Sequence, residues 1–397
     1  MFLIKNGKIY TMAGNVYENG YILVDGGKIA RVGEEKDCPD EKDFDCKCSM
    51  VIDAGGKYVL PGFIDAHCHV GMWEDSTGFE GADGNESTDP VTPQLRAIDG
   101  IYHLDRTFVE ARENGVTTVV TGPGSANVIG GQFAALKTYG KSVDDMIIKE
   151  PVAIKAAFGE NPKRTYGGNK KMPLTRMATA ALLRENLKKA LEYKKTMESD
   201  NKESEGKEKT KFDMKMDALL KVLNKEVPLK AHAHRADDIL TAIRIAKEFD
   251  INITIEHCTE GKYVKDILIK EGIPAIIGPF LTDRSKVELK NLSVKTPGIL
   301  SKAGIKVAIM TDHPVIPVQN LWLCAAMAVR EGMEEEEALK AITINAAEIT
   351  GIADRVGSLE PGKDADIVIF NGHPFDIKTR VVTTIINGEV IYKEVEN

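Results

Sequence analysis

The chain has 397 residues, of which 43% are hydrophobic and 28% are charged, as is ordinary for a folded globular protein. The formal net charge of −8 excludes the basic footprint of a nucleic-acid-binding protein and the polybasic patch of a membrane-surface protein. The chain has no apolar run long enough to span a membrane and no signal-peptide pattern at its N-terminus. We therefore expect a cytoplasmic protein without nucleic-acid or membrane partners.

Six cysteines are present, and Cys38, Cys46 and Cys48 lie close together in the sequence. Their spacing differs from the Cys-x2-Cys pairs that are usual in zinc sites, and no fourth ligand lies nearby. We therefore expect free thiols in a reducing compartment.

The two ends of the chain share one pattern of short apolar strands. Asn6-Gly7 has the form of a hairpin turn between strands in residues 1–60, and Asn387-Gly388 has the same form in residues 350–397. We predict a small β-sandwich domain built from residues 1–60 and 350–397, with residues 61–349 forming a separate domain.

The central part of the chain alternates apolar strands with helical stretches, which is typical of parallel β/α units. Helices are predicted over 98–113, 178–198 and 237–248, and a further strand near residues 132–136 gives a poor signal. The clearer predicted strands cover residues 59–69, 116–121, 151–158, 228–234, 252–257, 274–278 and 306–311. The predicted fold class is α/β, a (β/α)8 TIM barrel that carries the small β-sandwich.

Two polar segments exceed what a minimal barrel needs. Gly71–Pro93 follows the first barrel strand, where a long loop either contacts substrate or is merely solvated. Residues 198–211 carry charges of both signs, which predicts a solvated linker between helices.

The first barrel strand ends in His67-Cys68-His69. Because side chains alternate along a strand, Asp65, His67 and His69 are predicted on one face. Two imidazoles two residues apart can reach one metal ion, whereas a lone pair of this kind can also be two core or solvated histidines.

Further candidate ligands follow other predicted strands. His232, His257 and Asp312 each lie at or just after a strand's carboxyl end. In a barrel all of these ends meet at one mouth, so we expect His232, His257 and Asp312 to join His67 and His69. This convergence predicts a metal site.

Lys155 lies within the apolar strand 151–158, where an unpaired ammonium would be costly. One interpretation is that CO2 carbamylates Lys155, which then bridges two metal ions. The other is a lysine that reaches the surface or pairs with a carboxylate. Glu160, just past the strand end, is the alternative bridging ligand.

Residues 61–69, reading Pro-Gly-Phe-Ile-Asp-Ala-His-Cys-His, resemble the opening motif of the amidohydrolase superfamily. The positions of His232, His257 and Asp312 are similar to those of that superfamily's metal ligands. The C-terminal segment, in which Asn345-Ala346-Ala347 precedes residues 357–366, also resembles the superfamily. The resemblance covers nearly the whole chain. It points to the imidazolonepropionase-related group, which includes prolidase-like and dipeptidase-like members.

The resemblance implies a metal-dependent hydrolase with one or two divalent ions. Zinc is the first expectation, and iron or manganese are the alternatives. In relatives of this group, Ile-Lys on the fourth strand carries the carbamylated lysine, as Ile154-Lys155 would here. Related deaminases place a glutamate three residues after the fifth-strand histidine. Arg235 has that position counted from His232, and Asp237 has it counted from His234.

We expect metal-assisted hydrolysis of an amide or cyclic amide bond in a small molecule. Asp312 is the expected general base and then the acid that protonates the leaving nitrogen, and His257 or His234 would help to polarise the carbonyl. The alternatives are a prolidase-like dipeptidase, a mononuclear deaminase of a heterocyclic amine, and a non-catalytic scaffold.

Four residues near the predicted mouth are candidate substrate contacts: Arg164, His234, Arg235 and His313. His234 is also the alternative to His232 as the metal ligand of the fifth strand. A carboxylate on the substrate would suit an arginine there, which favours an N-acyl amino acid, a dipeptide or a cyclic amide bearing a carboxylate. Each charged residue is otherwise an ordinary surface charge. A homo-oligomer is compatible with the sequence.

Overall fold

The structure, a computed structural model, describes residues 1–38, 50–168, 170–200 and 211–395. Its strands are β1 (Phe2–Tyr10), β2 (Val16–Asp25), β3 (Lys28–Glu34), β4 (Met50–Asp53), β5 (Tyr58–Pro61), β6 (Phe63–Cys68), β7 (Val116–Thr121), β8 (Ile129–Lys137), β9 (Ile147–Ala157), β10 (Leu229–Ala233), β11 (Ile253–His257), β12 (Ala275–Ile277), β13 (Val307–Ile309), β14 (Ile367–Phe370), β15 (Val381–Ile386) and β16 (Glu389–Lys393). Its helices are α1 (Arg106–Glu113), α2 (Val143–Met146), α3 (Glu160–Gly168), α4 (Arg176–Asp200), α5 (Met214–Leu223), α6 (Ala236–Phe249), α7 (Lys265–Lys270), α8 (Thr296–Lys302), α9 (Leu321–Arg330), α10 (Glu335–Ala341) and α11 (Ile344–Thr350).

Strands from both chain ends form one sheet in the order β16-β15-β14-β5-β1-β2-β3, with β4 paired to β1. The two ends meet where Val368 of β14 pairs antiparallel with Leu60 of β5. Apolar side chains from both ends, such as Ile22 and Ile367, share one buried core. The prediction of a separate β-sheet built from both chain ends is therefore confirmed. The boundaries 1–60, 350–397 and 61–349 stay predictions.

The predicted turn at Asn6-Gly7 is instead a bulge within β1, which continues to Tyr10. Asn6 has a φ of 56°, a left-handed conformation that asparagine tolerates better than most residues. The bulge lets β1 pair with β4 before it and with β5 after it. Asn387-Gly388 does form the expected hairpin turn, between β15 and β16.

The other sheet is a nearly closed barrel of eight strands in the order β13-β12-β11-β10-β9-β8-β7-β6. Its first and last strands meet near the mouth, where the His69 amide donates to the His313 carbonyl at 2.9 Å and the Asp312 amide donates to the His67 carbonyl at 3.2 Å. The predicted TIM-barrel architecture is thus confirmed.

One strand differs from the expected parallel pattern. β8, which includes the poorly signalled residues 132–136, runs antiparallel to both β7 and β9. A parallel connection needs a crossover of about a dozen residues or more, and the chain between Thr121 and Ile129 is shorter than that. The reversal carries the last residue of β8, Lys137, to the end of the barrel opposite the mouth.

Two predicted elements differ from the structure by a division or by the loss of half their length. The predicted strand 59–69 divides at Gly62 into β5 of the terminal sheet and β6 of the barrel. A Cβ atom at Gly62 would lie 2.0 Å from the Thr117 hydroxyl oxygen, so glycine permits this crossing. Only the second half of the predicted helix 98–113 is α-helical, because the Asp105 carboxylate caps the helix there by accepting from the Thr107 amide.

Within the described ranges, no helix has the length and apolar character needed to cross a membrane. Cys68, Cys258 and Cys324 are free thiols, as expected. Cys46 and Cys48 lie outside the described residues, as do residues 201–210 of the predicted linker.

A buried ion cluster joins the two sheets at the far end of the barrel. The Lys137 side chain is 2% exposed, and its ammonium group contacts the carboxylates of Asp364, at 3.0 Å, and Asp366. The Arg355 guanidinium donates to Asp364 at 2.8 Å. Buried carboxylates of this kind are tolerated only while their cationic partners are present.

We predict that Lys137→Ala lowers the free energy of unfolding by about 3–5 kcal/mol, because it leaves Asp366 buried without its cation. Urea denaturation of the variant and the wild type measures this difference. Lys141→Ala, at an exposed lysine nearby, is the control and should change stability by less than about 0.5 kcal/mol. Equal effects of the two substitutions would contradict the structural role of Lys137.

Candidate active site

The first group of candidate ligands lies where β6 and β13 end at the mouth. The Nε2 atoms of His67 and His69 lie 3.5 Å and 3.3 Å from Oδ1 of Asp312. Both histidines are buried. Both also contact the same oxygen of Asp312, as two side chains on one face of a strand can do. Three predicted ligands therefore converge on one point.

The second group comes from β10 and β11. His232, His234 and His257 each offer a ring nitrogen, and these atoms all lie within 4.8 Å of one another. His257 also lies within the same distance of donor atoms of His67 and Asp312, so it stands between the two groups. All five predicted histidine and aspartate ligands are thus brought together, with His234 beside them.

Backbone conformation turns two of these side chains into the mouth. His257 is the last residue of β11 and Asp312 follows β13 by three residues, and their φ values are 68° and 55°. Residues other than glycine seldom adopt this left-handed conformation, and strained backbone of this kind tends to cluster at functional sites. Here it ends the strand alternation, so that His257 and the preceding Glu256 both reach the barrel interior.

Hydrogen bonds fix the orientation of the imidazole rings. Nδ1 of His69 lies 2.7 Å from the Gly122 carbonyl, and Nδ1 of His257 lies 2.8 Å from the Gly278 carbonyl. A carbonyl can only accept, so each Nδ1 carries the proton and each Nε2 keeps a lone pair for a metal. Burial lowers the pKa of His257 well below its ordinary value, so the ring is neutral.

Glu256 is a site residue that the sequence reasoning missed. Its Oε2 atom lies 3.0 Å from Nδ1 of His67 and 2.9 Å from the ammonium group of Lys230. Burial raises the pKa of Glu256, but Lys230 and His67 lower it more, to about 2. The ionised carboxylate favours a proton on Nδ1 of His67, so that Nε2 faces Asp312 and Lys155 with its lone pair. The sequence offered one signal for Glu256: it and Lys230 are opposite charges within two successive apolar strands.

Lys155 is fully buried, so the alternative of a lysine that reaches the surface is wrong. Its ammonium nitrogen lies 3.1 Å from Nε2 of His67, above the ring of Phe133 on the reversed strand β8. Burial lowers the pKa of Lys155 to about 7. The bridging role of a carbamylated Lys155 stays a prediction.

Two of the other predicted residues belong to neither ligand group. Arg164 lies exposed on α3. Arg235 makes a paired contact with Asp237, with both N–O distances 2.9 Å. Their proposed contacts with substrate stay predictions.

Glu160 and His313 lie nearer to the mouth. Glu160 begins α3, and its backbone amide donates to Oε2 of Glu288 at 3.0 Å, but its carboxylate belongs to neither ligand group. The buried His313 accepts a hydrogen bond at Nδ1 from the Val318 amide at 3.3 Å. The bridging role of Glu160 and the substrate contact of His313 also stay predictions.

Glu288 is the second residue that sequence reasoning missed. It lies in the short 3-10 turn Val287–Leu289, away from any strand end, so its position in the chain gave no signal. The side chain is buried, and its Oε1 atom lies 3.7 Å from Nε2 of both His232 and His234.

The site fits a divalent metal ion. Both ring nitrogens of His232 and Oε1 of Glu288 are buried without a hydrogen-bond partner, an arrangement that costs free energy unless another group satisfies them. Neutral imidazoles and carboxylates are ligands of zinc, iron and manganese. The predicted metal site therefore has a matching donor set.

The loop Gly71–Pro93 contacts the site. The ring of Trp73 packs edge-on against His69, with ring centroids 5.0 Å apart. Backbone hydrogen bonds order the loop, including one from the Gly124 amide to the Gly84 carbonyl at 2.7 Å. Of the two interpretations of this loop, these contacts favour a loop that borders the site over one that is merely solvated.

Comparison with curated proteins gives several relatives. The chain is 27% identical to the amidohydrolase tasK of Hapsidospora irregularis over 391 residues, covering 93% of this chain and 39% of that protein. It is 26% identical to adenine deaminase of Listeria monocytogenes over 400 residues, covering 98% of this chain and 57% of that one. It is 26% identical to imidazolonepropionase of Clostridium tetani, covering 96% and 92%. The chain therefore spans only about two fifths to three fifths of the first two relatives.

Solved structures agree with this comparison. The crystal structure of an amidohydrolase from Thermotoga maritima has a TM-score of 0.94 and 45% identity, and covers 99% of this chain and 100% of that one. A Xaa-Pro dipeptidase with bound methionine shares the fold at 20% identity and a TM-score of 0.59, covering 99% and 100%.

The Amidohydrolase family model matches residues 58–391, from the end of the first β segment to the last strand. This match includes all the converging histidines and Asp312. The predicted superfamily is confirmed, and imidazolonepropionase is among the similar proteins; a non-catalytic scaffold finds no support. The chain belongs to the amidohydrolase family of metal-dependent hydrolases that act on carbon–nitrogen bonds.

Proposed function

We propose that this chain hydrolyses an amide or cyclic amide bond of a small molecule that carries a carboxylate. The observation that supports this most directly is the convergence of His67 and His69 on Oδ1 of Asp312, at 3.5 Å and 3.3 Å. A carboxylate held beside neutral imidazole donors can move a proton next to a bound metal ion.

A bound divalent ion, zinc first with iron or manganese as alternatives, would lower the pKa of water and polarise a carbonyl group. Burial raises the pKa of Asp312, but His257, His67 and His69 lower it more, so the net pKa lies well below the ordinary value. The ionised Asp312 accepts the proton of the attacking water. It then donates this proton to the leaving nitrogen, so one carboxylate acts as base and acid in turn.

The number of ions depends on groups beside this core. Because burial lowers the pKa of Lys155 to about 7, part of its amine is unprotonated at neutral pH. That form adds CO2, forming a carbon–nitrogen bond and releasing a proton, which gives a carbamate that could bridge two ions. Glu160 remains the alternative bridge in this proposal.

A carboxylate on the substrate suits the charges around the mouth. Arg164 is exposed and could reach such a carboxylate. Arg235 could release Asp237 and bind the substrate instead, because a substrate carboxylate accepts the same two hydrogen bonds as the Asp237 carboxylate. His234 and His313 lie closer to the ligands and would contact the scissile amide. N-acyl amino acids, dipeptides and carboxylated cyclic amides are therefore the proposed substrates.

Deamination of a ring amine is the second candidate. The similarity to adenine deaminase over nearly the whole of this chain favours it. The position three residues after His232 holds Arg235 instead of a glutamate, and its side chain turns toward Asp237. This substitution makes amide hydrolysis the first proposal.

The full-length chain, loaded with Zn2+, Fe2+ or Mn2+, would be screened with the three proposed substrate classes and with aminated heterocycles. We expect new amine and carboxylate groups from an amide, loss of activity on chelation, and recovery when the metal returns. Ammonia release from a heterocycle would instead support deamination. Hydrolysis that persists after complete metal removal would overturn both.

We predict that Asp312→Asn keeps its metal but lowers kcat/KM by about 10²–10⁴-fold, because the amide cannot accept the water's proton. Steady-state kinetics and metal analysis of the same sample measure the two effects. Asp283→Asn, at an exposed aspartate in the loop after β12, is the matched control. A wild-type rate for Asp312→Asn would show that its assigned role is wrong.

We predict that Glu256→Gln weakens metal binding by about 10–100-fold, because the neutral amide no longer fixes the Nδ1 proton of His67. Competition with a chromophoric chelator measures the affinity. Glu113→Gln, at an exposed glutamate, should leave that affinity unchanged. Unchanged affinity in both variants would contradict the orienting role of Glu256.

A further inference from the structure

We propose that Lys286 and Glu288, here called the recognition pair, together bind an α-amino acid unit of the substrate. Lys286 binds the carboxylate of that unit, and Glu288 accepts a hydrogen bond from its N–H group. This inference rests on the proposed amide hydrolysis and deepens it, because it identifies the leaving side of the substrate as an amino acid. It also gives the substrate carboxylate a receptor other than Arg164 or Arg235.

The recognition pair lies in the loop that follows β12. Lys286 precedes the short 3-10 turn Val287–Leu289, and the Leu289 amide donates to the Lys286 carbonyl at 3.0 Å. Glu288 and Leu289 are buried, whereas the Lys286 side chain is 25% exposed. The turn therefore fixes the backbone of both charged residues, while the long Lys286 side chain keeps room to move.

Glu288 directs one carboxylate oxygen into the mouth. Its Oε2 atom accepts a hydrogen bond from the Glu160 amide at 3.0 Å. Its Oε1 atom lies 3.7 Å from Nε2 of both His232 and His234, and has no hydrogen-bond partner among the residues that the structure describes. A buried acceptor of this kind costs free energy until a donor reaches it. An N–H group of a substrate bound at the mouth is such a donor.

The Lys286 ammonium group lies beside Glu288 without using its hydrogen-bond donors. It is 3.9 Å from Oε1 of Glu288, which is too long for a hydrogen bond. Within the described ranges it donates to no other group. An ammonium group carries three donors. The attraction between the two charges therefore holds Lys286 at the mouth with its donors available to a carboxylate.

The charge of Lys286 acts on the neighbouring histidines. Burial and then Lys286 lower the pKa of His232 well below its ordinary value. Burial lowers the pKa of His234 as well, with contributions from the charges of His232 and Lys286. Lys286 is thus a cation within electrostatic reach of the site. Arg235, in contrast, is held by Asp237 through two contacts of 2.9 Å.

The spacing within the recognition pair matches an α-amino acid. The nitrogen of such a unit and its carboxylate oxygens are separated by three bonds, or roughly 3 Å. The facing atoms of the pair, Oε1 of Glu288 and Nζ of Lys286, lie 3.9 Å apart. One amino acid unit can therefore donate to Glu288 and accept from Lys286 at the same time. A tertiary amide, such as one formed by proline, has no N–H group, so the pair selects secondary amides.

Kinetics on matched substrates test the role of Lys286. The zinc-loaded full-length chain is assayed with N-acetyl-L-amino acids and dipeptides, each paired with its C-terminal carboxamide. We expect the wild type to favour the carboxylate form by about 10–100-fold in kcat/KM, as a hydrogen bond to a charged group contributes. Lys286→Met should lower this ratio to about one, mainly through KM, because its side chain has no donor. Lys286→Arg should keep most of the preference.

A second comparison, between each substrate and its form methylated at the amide nitrogen, tests the role of Glu288. Glu288→Gln should reduce the preference for the N–H form, because a neutral amide is a weaker acceptor than a carboxylate. Lys290→Met, at an exposed lysine just after the turn, is the control and should change neither preference. Metal analysis and thermal unfolding of each variant check that it is loaded and folded.

Several outcomes would overturn the inference. A wild type without the carboxylate preference would do so, as would Lys286→Met with the preference unchanged. Loss of the preference in Arg164→Met or Arg235→Met instead would identify an arginine as the receptor. An unchanged N–H preference in Glu288→Gln would contradict the role of Glu288.

Failure of the proposed function has a different signature. If the wild type hydrolyses none of these compounds, the proposed amide hydrolysis fails, and calorimetric binding of the N-acetyl amino acids decides the inference. Binding that Lys286→Met weakens by at least about 10-fold would support the recognition pair. Equal binding by the wild type and Lys286→Met, or no binding by either, would overturn it.

Discussion

The buried contact between Glu256 and His67 is the interaction on which the site depends. His67 stands at the centre of the mouth, with Asp312 and Lys155 both near its Nε2 atom. Without an acceptor at Nδ1, that ring could place its proton on either nitrogen. Glu256 fixes the proton at Nδ1, and Lys230 keeps Glu256 ionised in an interior that would otherwise neutralise it. The positioning of the metal ligands is therefore an electrostatic property of the barrel core.

The barrel provides this core through two departures from regularity. The reversed strand β8 places Phe133 beneath His67 and Lys155, and ends at Lys137 in the ion cluster below. Left-handed residues at the ends of β11 and β13 turn His257 and Asp312 inward. Both features help to bring imidazole, carboxylate and ammonium groups together at the mouth, while the opposite end of the barrel joins the terminal sheet.

Much of this architecture follows from the sequence alone. The alternation of strands and helices predicted the barrel, and the rule that strand ends meet at one mouth predicted His67, His69, His232, His257 and Asp312. Glu288 could not be found this way, because it lies in a turn that only the tertiary fold brings to the histidines. Strand alternation places Glu256 and His257 on opposite faces, so Glu256 was not predicted at the site. The left-handed conformation of His257 breaks this alternation. The direction of β8 depended on the length of one connection.

The central claim is that the converging histidines and Asp312 hold metal for hydrolysis. Anomalous diffraction from crystals of the zinc-loaded chain tests it most directly. The account predicts a zinc peak about 2.0–2.2 Å from the His67 and His69 nitrogens and an Asp312 oxygen. A fully loaded crystal without a peak at the mouth would contradict the account.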